Sequence, residues 1–183
     1  MNQEMMNRSG TALLVVDVQR SVMADAWQAI EVTGRIADLV DRARQADVPV
    51  VWVRHSSESM PVDSDGWQIV AALAPAAGEL IIEKRYGDSF EDTNLEEVLA
   101  GLGVRRLVVC GAQSDACVLS TLFGGFVRGY DMTLVGDAHT TDDYSNYGAP
   151  TPDKVTAFIN MVWTYRSAPG RTASVVTSEM VDW

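Results

Sequence analysis

The sequence predicts an α/β protein: a three-layer sandwich on a mostly parallel six-stranded sheet, with helices on both faces, Rossmann-like in arrangement. Three observations predict it. Short apolar runs alternate with longer stretches of helical periodicity. The runs are continuous rather than alternating, as strands buried on both faces require. The 183 residues, 47% of them hydrophobic, suffice for one full core. No internal repeat or low-complexity linker interrupts the pattern. One domain is expected over residues 1–183, with about the first ten forming a flexible N-terminus.

Each element has its own warrant. TALLVVDV (Thr11–Val18) is an unbroken apolar run and the first strand. A helix follows over about Trp27–Ala46, with Ile30, Ile36, Leu39, Val40 and Ala43 at helical spacing. DVPVVWVRH (Asp47–His55) is the second strand, its proline at the start, where a strand tolerates it. Ser56–Gly66 is polar loop, and GELIIEK (Gly78–Lys84) is a short third strand. TNLEEVLAGLG reads as a helix, with Thr93 as N-cap, Glu96 completing a capping box and glycine at the stop. RRLVVCG (Arg105–Gly111) is the fourth strand, followed by a helix from Ala116 to near Gly129. DMTLVGDA (Asp131–Ala138) is the fifth strand and the following segment to Pro152 is loop. A helix over about Pro152–Arg166 and a sixth strand, RTASVVTS, complete the chain.

Charge and cysteine usage bound the function. A net charge of −11 argues against a nucleic-acid partner, which needs a basic face for the phosphates. Two cysteines, Cys110 and Cys117, are too few for a disulfide framework and point to a reducing cytoplasm. The N-terminal MNQEMMNRSG has no apolar stretch fit for a signal peptide, and no run approaches the roughly 20 apolar residues of a membrane span. The expected partner is a small molecule, not nucleic acid or membrane.

In open parallel sheets, ligands bind at the carboxyl ends of the strands, near the switch in strand order. Three reactive residues fall on that edge. Asp17 closes the first strand inside LLVVDVQ, Lys84 closes the third, and Cys117 follows the fourth at a helix start. A helix N-terminus and a nearby ammonium both favour a thiolate. A buried carboxylate can take the thiol proton and return it to a leaving amine. Backbone N–H groups between Gly111 and Cys117 can hold an oxyanion, worth about 3–4 kcal/mol per donor.

The chain resembles the isochorismatase-like cysteine hydrolases, the group of nicotinamidases, carbamoyl-amide hydrolases and isochorismatases. ALLVVDVQ, EKRYGDSFEDTNLEEVL and LVVCGAQSDACVLSTLFGGFVRGYDMTLVGDAHTT carry the resemblance, in that order along the chain. It implies Asp17, Lys84 and Cys117 as a catalytic triad. It also implies a cis peptide at Ala112–Gln113, with the amides of Gln113 and Cys117 as oxyanion donors. The implied activity is hydrolysis of a small amide or related C–N bond through a cysteine thioester. Vinyl-ether hydrolysis of the isochorismatase type and a non-catalytic member are the alternatives.

The resemblance has limits that narrow it. Nicotinamidases of the group carry a metal on an Asp-x-His pair and a further histidine. VRHSSESMPVDSDGW has only His55, and His139 is the one other histidine, so no metal and no cofactor are expected. His139, in DAHTT, reads as structural. Gln19, Trp52, His55, Tyr86 and Phe90 are the candidate substrate contacts, with further walls from the loops Ser56–Gly66 and Thr140–Pro150. Glycines in the FGGF helix imply close packing on a neighbour or another subunit. The group implies a homo-oligomer, a dimer or tetramer.

Overall fold

The computed structural model describes residue 5 and residues 7–183; the expected flexible N-terminus falls partly on residues 1–4 and 6, which lie outside the described residues. Six parallel strands form one sheet in the order β3-β2-β1-β4-β5-β6. The strands are β1 (Gly10–Val16), β2 (Val50–His55), β3 (Leu80–Lys84), β4 (Val104–Ala112), β5 (Asp131–Thr140) and β6 (Ala173–Val176). Helices α1 (Arg20–Met23), α2 (Ala29–Gln45), α3 (Leu95–Gly101), α4 (Leu119–Arg128) and α5 (Pro152–Thr164) connect and cover them. This is the doubly wound order, whose switch lies between β1 and β4.

The two sheet faces bury separate clusters, which makes the three layers. Leu13, Val15, Trp52, Val108 and Cys110 pack under α2 through Val32, Ile36, Leu39, Val40 and Ala43. Leu14, Val16, Val51, Val53, Leu107 and Val109 face the other way, under Leu95, Leu99, Leu122, Phe126, Ile159 and Trp163 of α3, α4 and α5. Met5 is buried in this second cluster, so the chain is anchored to the core ahead of β1.

Several local expectations change. Ile30 is 87% exposed, because α2 begins only at Ala29 and Ile30 lies off the stripe that runs from Val32 to Ala43. The capping box does not form: α3 begins at Leu95, whose N–H reaches the Thr93 hydroxyl at 3.3 Å, while that hydroxyl donates to the Ser89 carbonyl at 2.7 Å. Glu96 instead accepts from the Tyr130 hydroxyl at 3.0 Å and faces Arg8. Strand β5 continues through His139 and Thr140, which pair with β4 instead of opening the loop. The short α1 carries no periodic signal in the sequence. The FGGF glycines pack within the chain: a Cβ on Gly124 would lie 2.2 Å from Asp88 Oδ1, and one on Gly125 2.6 Å from Met132 Sδ.

Candidate active site

Val16 pairs with Gly111 at the switch between β1 and β4. Gly111 has φ +125°, and a Cβ there would lie 2.0 Å from the Val16 carbonyl oxygen, so only glycine lets the two strand ends meet. The chain leaves this crossing on both sides into the site. Asp17 takes the left-handed conformation, φ 49°, and turns its carboxylate inward. After β4 the Ala112–Gln113 peptide is cis and a π-helical turn, Ser114–Val118, carries Cys117. The Gln113 carbonyl accepts from the Ala116 and Val118 N–H groups, both at 3.1 Å, and bypasses the Cys117 N–H between them.

Lys84 comes from two strands away. Its side chain, 2% exposed, reaches back so that Nζ lies 2.6 Å from Asp17 Oδ2. It also donates to the Tyr86 carbonyl at 3.0 Å and lies 3.5 Å from His55 Nδ1. A carboxylate oxygen of Asp17, a ring nitrogen of His55 and the Cys117 sulfur lie within 4.8 Å of one another. These are donor types that bind metals, but the Lys84 ammonium sits against two of them and already supplies the positive charge. The set therefore fits proton transfer better than a cation.

Burial holds the Asp17 carboxyl above the ordinary range, with Lys84, Cys117 and His55 pulling it back in part. The Cys117 thiol is pushed up to about 11 by burial, then by the Asp17 carboxylate, against a smaller opposing pull from Lys84. The ammonium expected to favour a thiolate is thus outweighed by burial, and the turn is a π-turn with Asp17 beside the sulfur, in keeping with a thiol that gives its proton to Asp17. His55 is held below its usual value by burial and by Lys84, so its ring is neutral. Cys110, fully buried under α2, is pushed up far more by burial alone.

A cavity of about 400 Å³ opens on these groups, lined by Asp17, Val22, His55, Ser59, Ala112, Gln113, Ala116, Cys117 and Tyr144. Of the five candidate substrate contacts, only His55 faces it. Trp52 points to the α2 face, its Nε1 donating to Glu79 Oε2 at 2.7 Å; strand period two sends it away from the rim. Phe90 is core, 5.7 Å from the Tyr130 ring. Tyr86 is exposed and presents only its carbonyl to Lys84. Gln19 is fully buried with both amide atoms on backbone: it donates to the His55 and Trp67 carbonyls and accepts the His55 N–H. It fastens β2 to β1 beneath the site. Val22, Ser59 and Tyr144 carry no motif that marks them as lining residues, although Ser59 and Tyr144 belong to the two loops expected to supply walls.

The isochorismatase domain model matches residues 11–177. The chain belongs to the isochorismatase family. Its isochorismatase fold closely matches that of a solved isochorismatase from Pseudomonas putida KT2440, with a TM-score of 0.84 and 27% identity over 94% of this chain and 90% of that one. A streptothricin hydrolase of Streptomyces noursei is 37% identical over 139 residues, 72% of this chain and 55% of the relative. A ureidoacrylate amidohydrolase of Methylobacterium radiotolerans is 28% identical over 170 residues, 70% of this chain and 66% of the relative. The chain spans about half the length of the streptothricin hydrolases it matches.

Proposed function

We propose that this isochorismatase-family protein is a cysteine-dependent amidohydrolase, cleaving a small-molecule amide or related C–N bond through a thioester. One observation carries the reading: the Asp17 carboxylate, ion-paired to the buried Lys84, and the Cys117 thiol line one cavity at the strand-order switch. The likeness to a streptothricin hydrolase and a ureidoacrylate amidohydrolase supports it.

The chemistry follows from the protonation states. The resting thiol is protonated and needs a base at the moment of attack; Asp17, a carboxylate with a raised proton affinity, is that base. As the sulfur–carbon bond forms, the thiol proton moves to Asp17 and the carbonyl becomes an oxyanion. The Gln113 and Cys117 amides stabilise it, in a turn whose ladder bypasses Cys117. Collapse breaks the C–N bond, and Asp17 returns the proton to the departing nitrogen. Water then attacks the thioester, giving its proton to Asp17; the C–S bond breaks and the sulfur recovers the proton. Lys84, 2.6 Å from Asp17 Oδ2, stabilises the charges that develop beside it. His55 offers a neutral polar wall.

The test is a screen of small primary amides, carbamoyl compounds and lactams for ammonia or amine release. Cys117→Ala is expected to abolish turnover and to leave the melting temperature nearly unchanged. Full activity in that variant sinks the thioester. Cleavage of a vinyl ether that survives loss of the sulfur identifies Asp17 acting alone as an acid.

A further inference from the structure

Off the cavity lining, three side chains form a chain of hydrogen bonds that ends on the nucleophile turn, buried at Ser114 and His139 and half-buried at Asn160. Asn160, on α5, donates from Nδ2 to the Gly136 carbonyl at 2.9 Å. That carbonyl can only accept, so it fixes the amide: Asn160 Oδ1 faces His139 Nε2, 3.0 Å away, and must receive its proton. His139 is therefore the Nε2–H tautomer, with a bare Nδ1. The Ser114 hydroxyl lies 2.7 Å from that Nδ1 and donates to it. One backbone carbonyl thus sets the direction of every proton up to the first residue of the turn.

The chain is built in, not incidental. Ser114 is fully buried and His139 is 2% exposed. Gly136 makes the room: a Cβ there would lie 3.0 Å from Asn160 Oδ1 and 3.1 Å from Nδ2. Burial holds His139 below its usual value, against smaller opposing contributions from Asn160 and Asp137, which matches the neutral ring the geometry requires. The next residue of the turn is held from the same strand end, as Thr141 Oγ1 donates to Asp115 Oδ1 at 2.6 Å. None of Ser114, His139 or Asn160 lines the cavity.

We infer that His139, oriented by Asn160, is a positioning residue that fixes through Ser114 the turn presenting the Gln113 and Cys117 amides to the oxyanion. The inference rests on the thioester reading. It gives the buried histidine a task that its place in β5 alone does not: setting the amides, not the sulfur, since Asp17 and Lys84 hold the sulfur's surroundings from the other side of the switch.

That division provides the test. Alkylation of Cys117 by iodoacetamide displaces iodide at a saturated carbon and develops no oxyanion. Acylation by p-nitrophenyl acetate passes through one, forming the S–C bond and releasing p-nitrophenolate as Asp17 takes the thiol proton. In Ser114→Ala and in His139→Gln, the acylation burst is expected to slow about tenfold or more, while alkylation stays within about twofold. The double variant should lose no more than the worse single one, because both break the same chain. Asn160→Ala reads the same ratio from the partly exposed end if Ser114→Ala does not fold. Equal loss of acylation and alkylation, or loss of neither, overturns the inference while leaving the thioester intact. A wild-type Cys117 that alkylates but never acylates overturns the thioester reading and this inference with it.

Discussion

Asp17 meets two costly conditions at once. Its backbone is left-handed at φ 49°, worth about 1–2 kcal/mol for a residue with a Cβ, and its carboxylate is buried. Lys84 offsets the second. Lys84→Met should therefore strand a buried charge and lower stability at neutral pH by about 3–5 kcal/mol, read by urea unfolding. Because the folded carboxyl holds its proton more tightly than usual, the base form of Asp17 is lost as pH falls through that raised value. The acid limb of kcat/KM is expected above the ordinary aspartate value of about 3.9; a limb at or below it contradicts Asp17 as base. In the absence of substrate, Cys117 alkylation should rise through the alkaline range towards a midpoint near 11. A plateau already reached at neutral pH would contradict a protonated resting thiol. The positions of Asp17 and Lys84 are readable in the sequence because a charged residue ending an apolar run is placed by the strand itself, and that of Cys117 only as far as the segment following the fourth run. Trp52 and Phe90 are not, since residue type does not say which way a ring faces. Gln19 looks free because its partners are backbone atoms, which no residue code displays.

At the scale of elements, the glycines separate two kinds of necessity. Gly111→Ala puts a methyl into the Val16 carbonyl and forces an unfavourable φ; a loss above about 3 kcal/mol is expected in denaturant titration. Gly34, on α2, has open space where a methyl would go, with no atom within 4 Å, so Gly34→Ala should stabilise by about 0.5–1 kcal/mol in the same measurement. All six strands are readable from their apolar runs, and their parallel pairing from the alternation with helices. Their ends are less so: β5 outruns its apolar run because His139 and Thr140 are polar residues buried by hydrogen bonds. The π-turn is invisible for a related reason, as two of its residues are held by side chains far away in the sequence, Ser114 by His139 and Asp115 by Thr141.

For the whole molecule, the −11 charge keeps long-range attraction to polyanions low, and among the described residues no helix is long and apolar enough to cross a membrane. Val127 of α4 and Phe158 and Met161 of α5 stay exposed, with Tyr165 just beyond α5. We propose that a homo-oligomer covers these side chains, and light scattering checks it: Phe158→Asp should shift the mass towards one chain, and a wild-type mass of one chain would contradict it. The order of the sheet has a temporal consequence as well. Asp17, Lys84 and Cys117 come from β1, from β3 and from beyond β4, and they meet only once β4 has paired with a strand laid down nearly a hundred residues earlier. Such distant pairings form slowly. During refolding, Cys117 should pass from the reactivity of an ordinary free thiol to that of a sheltered one only when this last closure occurs, so a pulse of alkylating reagent would time the moment the chain acquires its chemistry.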